Sequence, residues 1–256
     1  MSAPIMRTDN LSRSFGGLQA VRDVSIQIER GAFHSIIGPN GAGKTTLFNM
    51  LSGALRPTAG QVFLRERDIT GMPLHRVAHL GVGRAYQITS LFPNLSVLEN
   101  VRLAAQAKGG DSFKLWRASG SLRRYLERAE QVIALVGLRG REQALASTLA
   151  HGDKRKLELA LLLAGDPELL LLDEPTAGMA SSQVPELIAI VEQLRRSGER
   201  TIVLVEHRMD VVMAVSDRIT VMHQGAVLAE GTPREIAADE RVQQAYLGEL
   251  YEDVTY

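Results

Sequence analysis

Residues Gly38-Pro39-Asn40-Gly41-Ala42-Gly43-Lys44-Thr45-Thr46 meet every fixed position of the pattern G-x-x-x-x-G-K-[ST], and few short stretches restrict a fold as severely. The pattern works as the turn between a buried strand and a helix, where successive backbone N–H groups converge on phosphate oxygens and the helix start adds its positive end. Both flanks comply. Phe33-His34-Ser35-Ile36-Ile37 reads as a short buried strand, and Thr45 to Gly53 carries Leu47, Met50 and Leu51 at helical spacing. Lys44 is expected to reach the β- and γ-phosphates as a point charge, and the Thr45 hydroxyl to take one position on Mg2+.

Later segments supply what a hydrolytic site needs. Leu169-Leu170-Leu171-Leu172 is a buried strand that runs into Asp173-Glu174-Pro175-Thr176. At such a strand tip Asp173 can hold magnesium through water, and Glu174 can orient or deprotonate an attacking water. Thr201-Ile202-Val203-Leu204-Val205 is a second buried strand, followed by Glu206-His207, so His207 is expected at the same sheet edge, within reach of a γ-phosphate. Leu149-Ala150-His151-Gly152-Asp153 runs directly into a helix and offers free N–H groups to an anion.

Around these motifs, residues 5 to 31 alternate as an antiparallel β-layer, most clearly at Val24-Ser25-Ile26-Gln27-Ile28. Phe15 stands before Gly16-Gly17, where its ring can stack on a base or simply cover the turn. Gly81 to Gln87 reads as a strand ending in glutamine, and Leu91, Phe92 and Pro93 then form an apolar loop that this chain's helices or a partner must cover. Ser96 and Glu99 fit a capping box opening a helical stretch to about Leu138, interrupted at Gly109-Gly110. The segment from Lys108 to Glu142 is locally basic, with Trp116 and Tyr125 interleaved, as a solvated helix face or a contact for acidic lipid or protein. His75 and His79 share i,i+4 spacing without a third ligand and read as a helix face, not a metal site. Residues 219–230 form a hairpin around Gln224-Gly225, and Thr232-Pro233-Arg234-Glu235 starts a last helix.

The expected fold class is therefore α/β: a P-loop NTPase core with an N-terminal antiparallel β-layer and an inserted helical subdomain. Residues 1–87 and 169–232 make the core and β-layer, 88–168 the helical subdomain and 233–256 a helical tail. Net formal charge is zero, from 29 basic and 29 acidic residues, so no global field attracts nucleic acid. With no cysteine there are no disulfides, thiolate metal sites or thiol chemistry. No secretory leader and no apolar run of about 18 residues is seen. Guanine-reading Asn-Lys-x-Asp is absent, which disfavours a GTPase.

Taken in order, these motifs closely resemble the ATP-binding subunit of ABC transporters, over essentially the whole chain. By position Phe15 resembles the family's base-stacking aromatic, Gly38 to Thr46 its Walker A loop and Gln87 its Q-loop glutamine, a magnesium and catalytic ligand. Leu149 to Asp153 resembles the signature, Asp173 the Walker B aspartate, Glu174 the catalytic glutamate and His207 the switch histidine. The resemblance implies ATP and Mg2+ as cofactors, membrane permease subunits docked near Gln87 to Leu95, through Leu91, Phe92 and Pro93, and a peripheral position on the cytoplasmic face of the membrane. It also implies a head-to-tail dimer in which each signature acts on the partner's ATP. Ile37 to Lys44, the insertion after Val101, Ala177-Gly178-Met179 and Tyr246-Leu247-Gly248-Glu249 look most like the branched-chain amino acid importers and their urea or short-amide and aromatic-acid relatives, with an extracytoplasmic solute-binding protein as an indirect partner. Lipopolysaccharide-export ATPases share a similar tail, and a regulatory ATP-binding module is a further alternative that Glu174 opposes. The usual Leu-Ser-Gly-Gly-Gln signature here retains only its leucine and second glycine, and the aspartate usual after Walker B is Ala180. These departures favour a heterodimer with a second ATPase over a homodimer.

Overall fold

The computed structural model describes residues 3–85, 91–108, 118–196 and 200–252, with backbone alone for 118–122 and 247–252. In chain order the elements are β1 (Met6–Phe15), β2 (Leu18–Val24), β3 (Gln27–Ile28), β4 (Phe33–Ile37), α1 (Lys44–Leu51), β5 (Ala59–Leu64), β6 (Arg67–Asp68), α2 (Leu74–His79) and β7 (Val82–Arg84). They continue as α3 (Val97–Lys108), α4 (Ala118–Leu135), α5 (His151–Ala164), β8 (Leu169–Asp173), α6 (Val184–Arg196), β9 (Thr201–Val205), α7 (Met209–Val215), β10 (Arg218–His223), β11 (Ala226–Gly231), α8 (Pro233–Ala238) and α9 (Glu240–Glu252).

Two sheets enclose α1. The larger has the order β11-β10-β4-β9-β8-β7, parallel except for the β10–β11 hairpin. Strands β4, β8 and β9 are buried at every position, which is why their sequences are near-continuous apolar runs without alternation. The smaller sheet, β2-β1-β5-β6 with β3 beside β1, is antiparallel. Leu47, Phe48 and Leu51 of α1 pack between Leu11, Val21 and Val62 of this layer and Val203 and Val205 of the large sheet. The opposite face of the large sheet is covered by α3, α4, α5 and α6, with Phe33, Leu170 and Leu204 meeting Val101, Ile133, Leu157 and Leu187 in one core. Helices α8 and α9 close the far edge by seating Ile236 and Val242 against Val212, Ile219 and Val221.

The burial alternation across 24–28 holds, but the strand does not run through it. Asp23 takes a left-handed φ of 47°, β2 stops at Val24, and the Thr8 hydroxyl bridges the gap by donating to Val24 O at 2.8 Å and accepting from Ile26 N at 3.1 Å. Ser96 accepts from Glu99 N at 3.2 Å, while the Glu99 carboxylate turns to Arg102. Thr232 and Glu235 form the complete reciprocal box. Gln224 and Gly225, both at positive φ, make the tight β10–β11 turn.

Arg123, Arg124, Arg139 and Arg141 of the basic segment are exposed, as a solvated face requires, but Lys108 and Arg128 have a different use. Tyr125 is buried in the helical core, and Trp116 lies outside the described residues. Arg128 donates to Leu163 O and to Asp166, Lys108 donates to Asp166 O, and Arg200 reaches Asp166 at 2.8 Å. These cations cap the carboxyl-terminal end of α5, where helix carbonyls lack partners, and tie α3 and α4 to it. Among the described residues no helix is long and apolar enough to cross a membrane.

Candidate functional site

The phosphate loop follows directly from the end of β4. At Gly38 a Cβ would lie 2.1 Å from Met222 O, and at Gly43, whose φ is +96°, it would lie 2.4 Å from Ala20 O. The loop therefore sits against the backbones of β10 and β2 at two points that admit no side chain. Lys44 is buried, and its ammonium donates to Gly38 O at 2.5 Å and Pro39 O at 2.8 Å, so the charge and the loop fix each other's position. Thr45 is exposed on the first turn of α1.

Two neighbouring strand ends face this loop. Asp173 ends β8 in register with Val205 at the end of β9. The next residue, Glu174, takes a φ of 46° and donates its N–H to Val205 O at 2.8 Å, which bends the chain just past the sheet edge. His207 leaves β9 toward the same point, where its Nε2–H donates to Glu174 Oε1 at 2.9 Å. Phe15, Asn40 to Thr46, Glu174 and His207 together line a cleft of about 370 Å³, with Leu18 and Ala20 as the remaining wall. Phe15 is 47% exposed, and the Arg13 guanidinium covers one face of its ring at 4.6 Å, leaving the other for a planar group. Burial pushes the Asp173 carboxyl above the usual range, while the Arg84 guanidinium pulls it down. Asp173 Oδ1 is buried with no hydrogen-bond partner, the condition of an acceptor that waits for a cation or its water.

Sequence reasoning passed over Glu206, which is almost fully buried. Its carboxylate accepts from Thr176 N at 3.1 Å, from the Thr176 hydroxyl and from His207 N at 3.1 Å. It ties the turn after Asp173 and Glu174 to the one carrying His207. An acid directly after five buried strand residues is the signal that marks it.

Leu149 to Asp153 are not part of this cleft. Ala150 is the N-cap of α5 and makes no side-chain cap; His151 is exposed, and Asp153 lies 3.6 Å from Lys156. A Cβ on Gly152 would meet the Gln183 side chain at 2.8 Å. Gln87 lies outside the described residues. Of the apolar loop, Phe92 and Pro93 are exposed, whereas Leu91 is half-buried and packs on the helical core. Asn100, also unnoticed in the sequence, is fully buried. Its amide accepts from Phe92 N at 2.8 Å and donates to Phe92 O, Leu95 O and Ser96 O. A polar residue between Val97 and Val101 on a buried helix face is its signature. Elsewhere, α2, β7, α3 and α5 line a mainly apolar cavity of about 320 Å³, with Ala78, Val82, Arg84, Ala104, Leu162 and Pro167 among its walls.

A parallel sheet with a phosphate loop at one strand end, an acid-tipped strand beside it and an antiparallel β-layer over the loop's helix defines an ATP-binding cassette of the P-loop class. The family described as "ABC transporter" matches residues 21–177, and the chain belongs to that family. Residues 226–251 match the family described as "Branched-chain amino acid ATP-binding cassette transporter". The chain is 42% identical to the high-affinity branched-chain amino acid transport ATP-binding protein LivG of Salmonella typhimurium, over 97% of this chain and 100% of that protein. It is 40% identical to BraF of Pseudomonas aeruginosa, again over 97% and 100%, and 34% identical to the lipopolysaccharide export ATP-binding protein LptB of Acidithiobacillus ferridurans, over 97% and 98%. Among solved structures it superposes on the ADP conformation of MJ1267, an ATP-binding cassette of an ABC transporter, with a TM-score of 0.84, 29% identity and coverage of 96% and 100%. It matches the dimeric post-hydrolysis state of the cassette MJ0796, bound to ADP and phosphate, with a TM-score of 0.76, 25% identity and coverage of 90% and 99%.

Proposed function

We propose that this chain is the ATP-hydrolysing subunit of a membrane importer for branched-chain or other hydrophobic amino acids. The observation that carries the reading is the Glu174–His207 pair at 2.9 Å on the rim of the phosphate-loop cleft, in a chain whose full length parallels LivG and BraF. Walker A residues Gly38 to Thr46 cradle the phosphates, Lys44 neutralises them and Phe15 stacks on the base. Glu174 orients and deprotonates the attacking water, His207 holds Glu174 and reaches the γ-phosphate, and Glu206 keeps their two turns together. Thr45, Asp173 and Gln87 would hold Mg2+, and the uncommitted Asp173 Oδ1 fits that part. The metal supplies charge neutralisation at the phosphates.

The reading extends to the assembly. Residues 88–168 act as a helical subdomain against a core of 1–87 and 169–232, and 233–256 as a tail. Phe92 and Pro93, braced by Asn100, dock a permease subunit. The chain sits peripherally on the cytoplasmic face, served indirectly by an extracytoplasmic solute-binding protein. Leu149, Ala150, His151, Gly152 and Asp153 act on the ATP of a second, different ATPase subunit, whose own signature completes the cleft described above. Lipopolysaccharide export is the weaker reading, since the carboxyl-terminal match favours amino-acid importers. Co-purification of the tagged chain from its native membranes tests the assembly. Two permeases, a second ATPase and an amino-acid-type binding protein support it; a soluble partner alone overturns it.

A further inference from the structure

The strand that leads toward the docking loop ends in Arg84, whose side chain is 8% exposed. It touches three functional parts at once. Its guanidinium lies 3.7 Å from Asp173 Oδ2, on a carboxylate only 4% exposed. Its Nη1 donates to the Ser52 hydroxyl at 2.7 Å, at the carboxyl-terminal cap of α1, and it lies over the Phe48 ring of the same helix at 5.4 Å. Arg84 and Ser52 also form part of the wall of the apolar cavity between α2, β7, α3 and α5. The register places Arg84 opposite Leu171, so the side chain extends along the sheet to reach the strand tip.

We infer that Arg84 is a positioning residue for Asp173, linking the apolar cavity to the carboxylate that serves the metal. A buried carboxylate needs a counter-charge, and a guanidinium beyond hydrogen-bonding distance supplies one without using the lone pairs of Oδ1. Ser52 and Phe48 hold that guanidinium against α1, the helix that carries Lys44 and Thr45. Displacing β7 from the cavity side therefore shifts the counter-charge at Asp173, and a shift at Asp173 is felt in the cavity wall. A planar guanidinium held on three sides does this more rigidly than a lysine.

The inference rests on the reading of Asp173 as a magnesium residue, and the test separates the two. Binding of a fluorescent ATP analogue to the isolated chain is measured by titration with and without Mg2+, for the parent, Arg84→Met, Arg84→Lys and Ser52→Ala, each checked for folding by thermal melting. Outer-shell partners of a metal carboxylate typically matter by about 10–100-fold in metal affinity. Arg84→Met is expected to raise the Mg2+ concentration giving half-maximal tightening by about tenfold or more, with metal-free affinity unchanged; Arg84→Lys is expected to recover part of it and Ser52→Ala to fall between. If Arg84→Met responds to Mg2+ as the parent does, or loses metal-free affinity equally, the inference is overturned while the metal reading stands. Should Arg84→Met melt below the assay temperature, Ser52→Ala with an unaltered Mg2+ response overturns it. A parent with no Mg2+ response overturns the metal reading and this inference with it.

Discussion

In the proposed mechanism Glu174 is the residue on which hydrolysis turns. Its backbone is held in the left-handed region by the bond to Val205 O, and its carboxylate is held by His207, so Glu174→Gln changes basicity with little change of shape. Loss of a general base typically costs about 10²–10⁴ in rate. Phosphate release in the assembled complex is predicted to fall by at least about 100-fold while ATP remains trapped, as measured by retained radiolabelled nucleotide. Ala150 offers the opposite test. Restoring one hydroxyl contact, worth about 0.5–1.5 kcal/mol, predicts a rise of roughly 2–10-fold in turnover at the partner's site for Ala150→Ser. His34, at the centre of the large sheet, makes a prediction about stability. Burial, reinforced by Arg218, lowers its pKa from 6.5 to about 4, and Nε2 is engaged with the Thr220 hydroxyl at 2.8 Å. As pH falls below 6.5 the unfolded chain takes the proton first, so stability declines down to about pH 4 by an amount on the order of 3 kcal/mol. Urea midpoints across that window should fall more steeply for the parent than for His34→Gln.

At the scale of elements, α3 and the loop before it behave as one unit through Asn100. Replacing this buried amide by alanine removes the acceptor of Phe92 N, while the carbonyls of Phe92, Leu95 and Ser96 lose one donor each but keep a backbone one; a buried group left unsatisfied costs about 1–3 kcal/mol. Asn100→Ala should lower the melting temperature and release the permeases during purification more than Phe92→Ala lowers stability, which thermal melts and co-purification check together. The elements that were legible in the sequence have an environment expressed locally. Strands β4, β8 and β9 are uniformly buried and so mostly apolar, with His34, Ser35, Asp173 and Thr201 as the polar exceptions, and the phosphate loop is defined by its glycines. What was hidden depends on partners distant in sequence. The break between β2 and β3 is set by Thr8, 16 and 18 residues away. Lys108 and Arg128 look like part of a solvent or lipid face until Asp166 is seen beside them. For Leu91 the sequence leaves open whether this chain's helices or a partner covers it, and the helical core receives it. Arg84, Asn100 and Glu206 were passed over for a related reason: one polar residue in an apolar run carries no label, and only the groups packed round it reveal a role.

For the molecule as a whole, the nucleotide cleft and Leu149–Asp153 are separate features of one chain. In the assembly proposed above, a head-to-tail pair joins each cleft to a signature from the other subunit, so a weakened signature would affect the partner's ATP while this chain's Walker residues stay intact. Unequal hydrolysis at the two sites of the complex is predicted, and equal rates would count against the heterodimer. The central claim is that the cleft around Lys44, Glu174 and His207 powers transport of an amino acid. Phosphate release from MgATP by the membrane-purified complex, with and without binding protein loaded with leucine, tests it most directly. The account predicts release stimulated by the loaded binding protein in the parent and lost in Glu174→Gln; release indifferent to both would contradict it.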